Sequence, residues 1–285
     1  MIKDKLVFIT GDTHGRVIER IEAILMVNPE IKPSDIIIII VGDAGINYWL
    51  NKTDKKNKEK INEYGCIIYC VRGNHEERPE NIDTYELVYD ENVCGEIYIE
   101  SEFPNIRFFT DGGIYKIKEY DVLTIGGAYS IDKWYRLQRH GIFNENHHDY
   151  TNSKKTGWFP DELLTPEEMN NIGNRVAGKH FDFVLSHTSP ISWEPKDLFL
   201  DFVDQSSVNK SMELFLENIK DNINWSIWIF GHYHANRIER PFVEQYFEYF
   251  EDIETIWERW NKYEIEGELD WWLRKSPNFY MGVDK

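Results

Sequence analysis

Residues 36–41 read Ile-Ile-Ile-Ile-Ile-Val, and that run constrains the chain more than any other. Branching at Cβ favours an extended backbone. A strand with no polar face must be covered on both sides. Two similar segments accompany it: Lys5 to Thr10, closed by Gly11, and Cys66 to Val71, closed by Gly73. Between the first two, Val17 to Val27 places Ile18, Ile21, Ile24 and Leu25 at helical spacing. Asp54 to Tyr64 repeats that spacing more weakly. A β-α-β-α-β run of this kind implies parallel strands with helices packed across them.

From about Val93 the texture changes. Glu96–Ile99, Ile106–Phe109, Gly113–Lys118 and Asp121–Ile125 predict short strands, an antiparallel stretch or second sheet. Ser130 to Pro166 is polar, aromatic and irregular, a length usually reserved for lids and binding loops. Thr165-Pro166-Glu167-Glu168 has the make-up of a helix start. Phe181–Leu185 and Ser226–Phe230 predict strands, and Ser207–Ile219 a helix. Val243–Phe250 fits a strand or a helix start. Asp252–Tyr263 predicts a helix whose Ile253, Ile256, Trp257 and Trp260 share a core-facing side. With no repeat or linker, the expectation is one domain over 1–285, carrying a lid-like insertion at about 128–165 and a helical C-terminal extension at about 250–285.

At 41% hydrophobic and 15% aromatic residues, the chain can bury a substantial core. Its longest apolar run, Ile36 to Val41, is far too short to cross a bilayer, so no membrane association is expected. The N-terminus lacks a signal-peptide pattern, and Cys66, Cys70 and Cys94 are too few and odd in number for a disulfide framework. A cytoplasmic, reducing compartment is the expectation. Net charge is -18, and Glu244 to Asp270 alone holds ten acids against two bases. Such a surface favours solubility and repels nucleic-acid backbones, so non-specific nucleic-acid binding is not expected.

Five segments follow predicted strands and carry polar chemistry: Gly11-Asp12-Thr13-His14-Gly15, Gly42-Asp43-Ala44-Gly45, Gly73-Asn74-His75-Glu76, Ser186-His187 and Gly231-His232-Tyr233-His234. In an open α/β sheet, ligands collect beyond the carboxyl ends of the strands. Carboxylate, amide oxygen and imidazole without thiolate suit manganese, iron or zinc. Asp12 and His14 are two apart, as are His232 and His234, which on an extended segment points each pair the same way. Singly, each signal has an ordinary alternative: Asp12 would also cap the following helix, and a lone His is commonly a surface residue. As an ordered set they point to a metal site.

The order Asp-x-His, Gly-Asp, Gly-Asn-His-Glu, His, Gly-His-x-His resembles the calcineurin-like metallophosphoesterase superfamily, its bacterial and phage-type members in particular, from Thr10 to His234. The resemblance implies an α/β fold, a four-layer αββα sandwich of two mixed β-sheets flanked by helices. It implies two divalent metal ions, manganese first, with iron or zinc as alternatives. One metal would take Asp12, His14 and His234, the other Asn74, His187 and His232, with Asp43 bridging. His75 would be the general acid. The activity implied is hydrolysis of phosphate mono- or diesters, as phosphatase or phosphodiesterase, by a metal-bound hydroxide.

The longer Gly-Asp-x-x-Asp-Arg-Gly motif of protein Ser/Thr phosphatases is absent; Ile46 and Asn47 stand at its second Asp and Arg, leaving the partner of His75 undefined. Arg72 is a candidate phosphate contact, and Tyr129, Asp132 and Arg136, after Gly126-Gly127, are candidate substrate contacts. His140, His147 and His148 read as solvated loop residues. Two other readings share the fold: a nuclease-type nucleic-acid phosphodiesterase and a non-catalytic binding module. A serine hydrolase centred on Ser186 lacks the Gly-x-Ser-x-Gly elbow.

Overall fold

The computed structural model describes residues 4–199, 204–240 and 242–266. Strands β1 (Leu6–Thr10), β2 (Ile36–Ile40) and β3 (Ile67–Cys70) lie parallel and adjacent, with Phe8, Ile38 and Ile68 in register. Helices α1 (Val17–Val27) and α2 (Lys52–Tyr64) cross over between them. The hairpin β4 (Tyr85–Asp90) and β5 (Gly95–Glu100) then leads into β6 (Ile106–Phe109), which joins β3 in parallel and leaves β5 and β4 antiparallel at the edge.

The second sheet opens with β7 (Gly113–Ile117) and β8 (Tyr120–Ile125). The short α3 (Lys133–Gln138) and α4 (Ser153–Thr156) and the longer α5 (Pro166–Val176) precede β9 (His180–Ser186). Then come α6 (Ser211–Asn222), β10 (Asn224–Phe230), β11 (Arg237–Arg240) and β12 (Val243–Gln245). Here β12, β10, β9 and β8 run parallel in that spatial order, with β11 and β7 antiparallel at the edges. Finally β13 (Phe250–Asp252) returns to the first sheet beside β1 and leads into α7 (Ile253–Glu266).

The isoleucine run explains the layering. Ile37 and Ile39 face inward and meet Phe183, Leu185, Ile227 and Ile229 of the second sheet. Ile36, Ile38 and Ile40 face outward and meet Ile21 and Ile24 of α1 and Ile61 of α2. Beyond the second sheet, Val184 and Trp228 pack on Ile172 and Val176 of α5 and Leu216 and Ile219 of α6. The result is the αββα sandwich of two mixed sheets, of seven and six strands among the described residues, that the resemblance implies. Among the described residues no helix is long and apolar enough to cross a membrane. The three cysteines are free.

Several details depart from the sequence reading. The segment after Val93 is divided: β5 and β6 complete the first sheet, and only β7 and β8 belong to the second. Helix α6 starts at Ser211, because residues 205–207 form a separate 3-10 turn capped by Asp204. In agreement with that reading, Ile253 and Ile256 of α7 enter the core between the sheets, with Trp257 and Trp260 against it. The acidic C-terminal segment is not all solvated surface: Glu244 is fully buried and pairs with Arg259 at 2.5 Å, and Arg259 also reaches Glu251 at 2.8 Å. That ion cluster ties α7 to β12. The part of the expected extension beyond residue 266 lies outside the described residues.

The 128–165 segment has a small core of its own, Leu137, Ile142 and Trp158, with Lys133 over the Trp158 ring at 4.4 Å. Arginines fasten it to the body. Arg78 donates to the carbonyls of Asp161 and Leu163, both at 2.8 Å, and Arg72 to that of Glu162 at 2.9 Å. So held, the segment packs as a wall against the body. Thr165 and Glu168 form a reciprocal capping box at the start of α5.

Candidate metal centre

All five polar segments sit at carboxyl ends of strands, after β1, β2, β3, β9 and β10, and both sheets deliver them to one edge of the sandwich. The backbone there is unusual. His14, Asp43, His232 and His234 have φ of 47°, 45°, 69° and 52°. Left-handed conformations are uncommon for non-glycine residues and persist only where the surroundings impose them. Close approach explains two of the glycines. A Cβ on Gly42 would collide with the His187 ring, and one on Gly231 with the Asp12 carboxylate.

The side chains converge in two groups. Asp12 Oδ2 lies 3.8 Å from His14 Nε2 and 3.6 Å from His234 Nε2, and those two nitrogens are 2.8 Å apart. On the other side, Asn74 Oδ1 is 2.8 Å from His187 Nε2, and the His232 ring lies 5.1 Å from the His187 ring. Asp43 stands between, Oδ1 3.5 Å from His187 Nε2 and Oδ2 3.9 Å from His14 Nδ1. His232 and His234 therefore diverge, one to each group, instead of pointing the same way. The extended-segment argument fails because both residues are left-handed.

The donor atoms fit cations. Nδ1 of His187 faces the Val41 carbonyl at 3.0 Å and donates to it, so a neutral ring presents a lone pair at Nε2. Asn74 Nδ2 is occupied by Ser130, so Oδ1 presents a lone pair as well. Two lone pairs face each other at 2.8 Å with no proton to share. The carboxylate oxygens lie 3.5–3.9 Å from the imidazole nitrogens, close to the roughly 3–3.6 Å between ligands that each sit about 2.1 Å from one ion.

Electrostatics agree. Burial lowers His14 to about 4 and pushes His187, His232 and His234 down too, so the rings are neutral and free to bind a metal. Burial, then the neighbouring Asp43, raises Asp12. Burial also acts to raise Asp43, but His187, His75 and His14 together hold it below the usual carboxylate range.

A family profile for calcineurin-like phosphoesterases matches residues 5–236. The chain belongs to that family. It is a metal-dependent phosphoesterase, a hydrolase acting on phosphate esters. None of the curated proteins compared with it matches. A solved crystal structure aligns with 88% of this phosphoesterase and 96% of its own chain, at 13% identity and a TM-score of 0.43, too slight a likeness to argue from.

A cavity of about 440 Å³ opens beside the centre, touching Asp43, Asn74, His75, His232 and His234. Tyr129 and Asp132 line it, as do Leu198, Phe199 and Val208. Arg72 and Arg136 are placed elsewhere. Arg72 is buried, with Nε on Asp111 at 2.9 Å, and is absent from the cavity wall. Arg136 donates to Asp132 at 2.7 Å and to the Tyr48 hydroxyl and Gly157 carbonyl. His75 places Nε2 4.0 Å from Asp43 Oδ2, and its buried Nδ1 has no hydrogen-bond partner among the described residues. Asn47, at the position of the phosphatase arginine, bonds the Tyr85 hydroxyl.

Two acids complete the surroundings: Glu76, which ends the Gly-Asn-His-Glu motif without a role read for it there, and Glu162, which the sequence did not single out. Glu76 accepts from the Gly73 N–H at 3.0 Å, and burial raises its carboxyl to about 8. Glu162 accepts from Ser130, and burial raises it to about 7. Glu162 stands 32 residues from Ser130, so no local pattern relates them.

Proposed function

We propose that this centre holds two divalent cations and hydrolyses phosphate mono- or diesters. Asp12, His14 and His234 would hold one, Asn74, His187 and His232 the other, and Asp43 both. The observation that carries the reading is the pair of opposed lone pairs on His187 Nε2 and Asn74 Oδ1, which a cation reconciles. Oxygen and imidazole donors without thiolate suit manganese, with iron or zinc as alternatives. Divalent cations bound there would lower the pKa of water from 15.7 to about 7 and offset the charge of the phosphate.

The protein's own groups do the rest. The His232 N–H fixes both oxygens of Asp12, at 3.1 Å each, and the His75 N–H fixes Asp43 Oδ1 at 2.9 Å. Nε2 of His75, on the side facing Asp43, gives its proton to the departing alkoxide, a step typically worth about 10²–10⁴-fold. Tyr129 and Asp132 meet the leaving group, and Arg136 holds Asp132 in place. Arg72 supports the wall from behind. The apolar part of the cavity, Leu198, Phe199 and Val208, fits a compact ester with an apolar leaving group better than a long polyanion. The net charge of -18 points the same way. Free cysteines, two of them buried, suit a reducing, cytoplasmic setting.

A substrate panel on metal-reconstituted protein, with Asp43→Asn as control, tests this. The variant should lose metal and turnover together, by more than the roughly hundred-fold that outer groups around a metal account for. Undiminished turnover in Asp43→Asn would remove the mechanism.

A further inference from the structure

A carboxamide has nearly the same shape either way round, so packing does not choose which end of Asn74 faces the centre. A short chain of hydrogen bonds does. Asn74 Nδ2 donates to Ser130 Oγ at 2.8 Å. Ser130 Oγ donates to Glu162 Oε2 at 2.5 Å, and the Ser130 backbone N–H donates to Glu162 Oε1 at 3.1 Å. With Glu162 ionised, both of its oxygens accept, so the single hydroxyl proton of Ser130 points at Glu162 and its lone pair is left for Asn74. The amide oxygen is thereby turned to His187 Nε2. Asn74, Ser130 and Glu162 are exposed by only 1%, 2% and 2%, so water does not compete.

We propose that Glu162 is a positioning residue that acts through Ser130 to fix the amide polarity of Asn74, keeping oxygen and not nitrogen in the metal centre. The proposal rests on the two-cation reading given above. It gives the 128–165 wall a part in metal binding without supplying a ligand. The wall is suited to that part, because Arg72, anchored on Asp111, holds the Glu162 carbonyl at 2.9 Å.

Glu162→Gln keeps the shape and reverses one polarity. With its NH₂ against Ser130 Oγ, the hydroxyl proton must turn to Asn74, which then flips and sends its own NH₂ towards His187. With its NH₂ against the Ser130 N–H, two donors meet where no water reaches. Both outcomes weaken the Asn74 side alone.

Manganese titration of metal-stripped full-length protein, followed by electron paramagnetic resonance, tests this. The unaltered protein should take two ions and show an exchange-coupled spectrum. Glu162→Gln should bind the ion on the Asp12, His14 and His234 side as before and the ion on the Asn74 side about 10- to 100-fold more weakly, with an isolated-ion spectrum persisting to high manganese. Ser130→Ala should show the same split, nearer the low end. Glu162→Gln that holds both ions at undiminished affinity overturns the proposal, and so does equal weakening of both ions, the mark of a merely structural role. If circular dichroism shows Glu162→Gln unfolded, Ser130→Ala decides by the same criterion. An unaltered protein that takes fewer than two ions overturns the two-cation reading instead.

Discussion

On one side of Asp43, His187 is sealed from solvent and tied at Nδ1 to the Val41 carbonyl, and Asn74 is tied at Nδ2 to Ser130. On the other, His14 and His234 keep 28% and 52% of their side chains exposed; His234 stacks on the Phe247 ring with centroids 4.7 Å apart, and His14 meets that ring edge-on at 6.4 Å. The buried side is oriented by hydrogen bonds to the body of the fold before any cation arrives. The open side is oriented by stacking, which leaves rotation about the ring axis softer. On the proposed two-cation reading, an ion on the buried side should leave slowly, and one on the open side should exchange with solvent.

The sharpest test of that asymmetry is steric. Gly42→Ala forces a methyl into the His187 ring at a residue with φ of 104°. Overpacking and strain together should cost about 3 kcal/mol or more and remove the buried-side ion, read by chemical denaturation and metal analysis. Next in size come the ligand deletions. His187→Ala should lose its ion outright, whereas His234→Ala should retain the buried-side ion and mainly speed exchange at the other, as metal competition with a chelator would show. Equal loss in the two variants would erase the distinction between the sides.

Acid should act on both sides. His14, His187, His232 and His234 are neutral in the folded metal-free chain, with values depressed by burial, and the unfolded chain takes up their protons below about pH 6.5. Their contribution to stability is complete above that pH and is lost as pH falls towards about 4, the value for His14. Glu76 works in the opposite sense. Its carboxyl, raised to about 8, favours folding below the ordinary carboxylate range, and that contribution is lost as pH rises through about 8. Thermal melting of metal-stripped protein should therefore fall steeply between pH 6.5 and 4 and more gently towards pH 8. His232→Asn should flatten the acid limb. The smallest effect is expected at Gly65, whose left-handed φ of 80° caps α2 in open space. Gly65→Ala should cost only about 1 kcal/mol, against which the Gly42 result can be judged.

Much of this was open to reading before any coordinates. Ile36–Ile40 specifies a strand buried on two faces, because a local run of β-branched residues has no other stable use. The five polar segments are legible for a similar reason, since a candidate ligand just after a strand, beside a glycine in four of the five, is a neighbour in sequence. Three strands escaped, one of them Phe250–Asp252, which the reading split between the Val243–Phe250 segment and the following helix. Tyr85–Asp90, at a sheet edge, is largely exposed and lacks an apolar pattern, and Arg237–Arg240, also an edge, is charged at both ends.

The direction of a side chain in a left-handed loop is another matter. The spacing of His232 and His234 does not reveal that they part, because φ there is imposed by contacts with Asp12 and the strands beneath. Nor does the position of Arg72 reveal that Asp111 holds it away from the cavity. Sequence alone determined which residues are available to bind metal and which strands carry them, because those depend on neighbours along the chain. The tertiary structure alone decided which histidine joins which group, and which end of Asn74 faces inward, because hydrogen-bond partners 32 to 146 residues distant set the lone pairs.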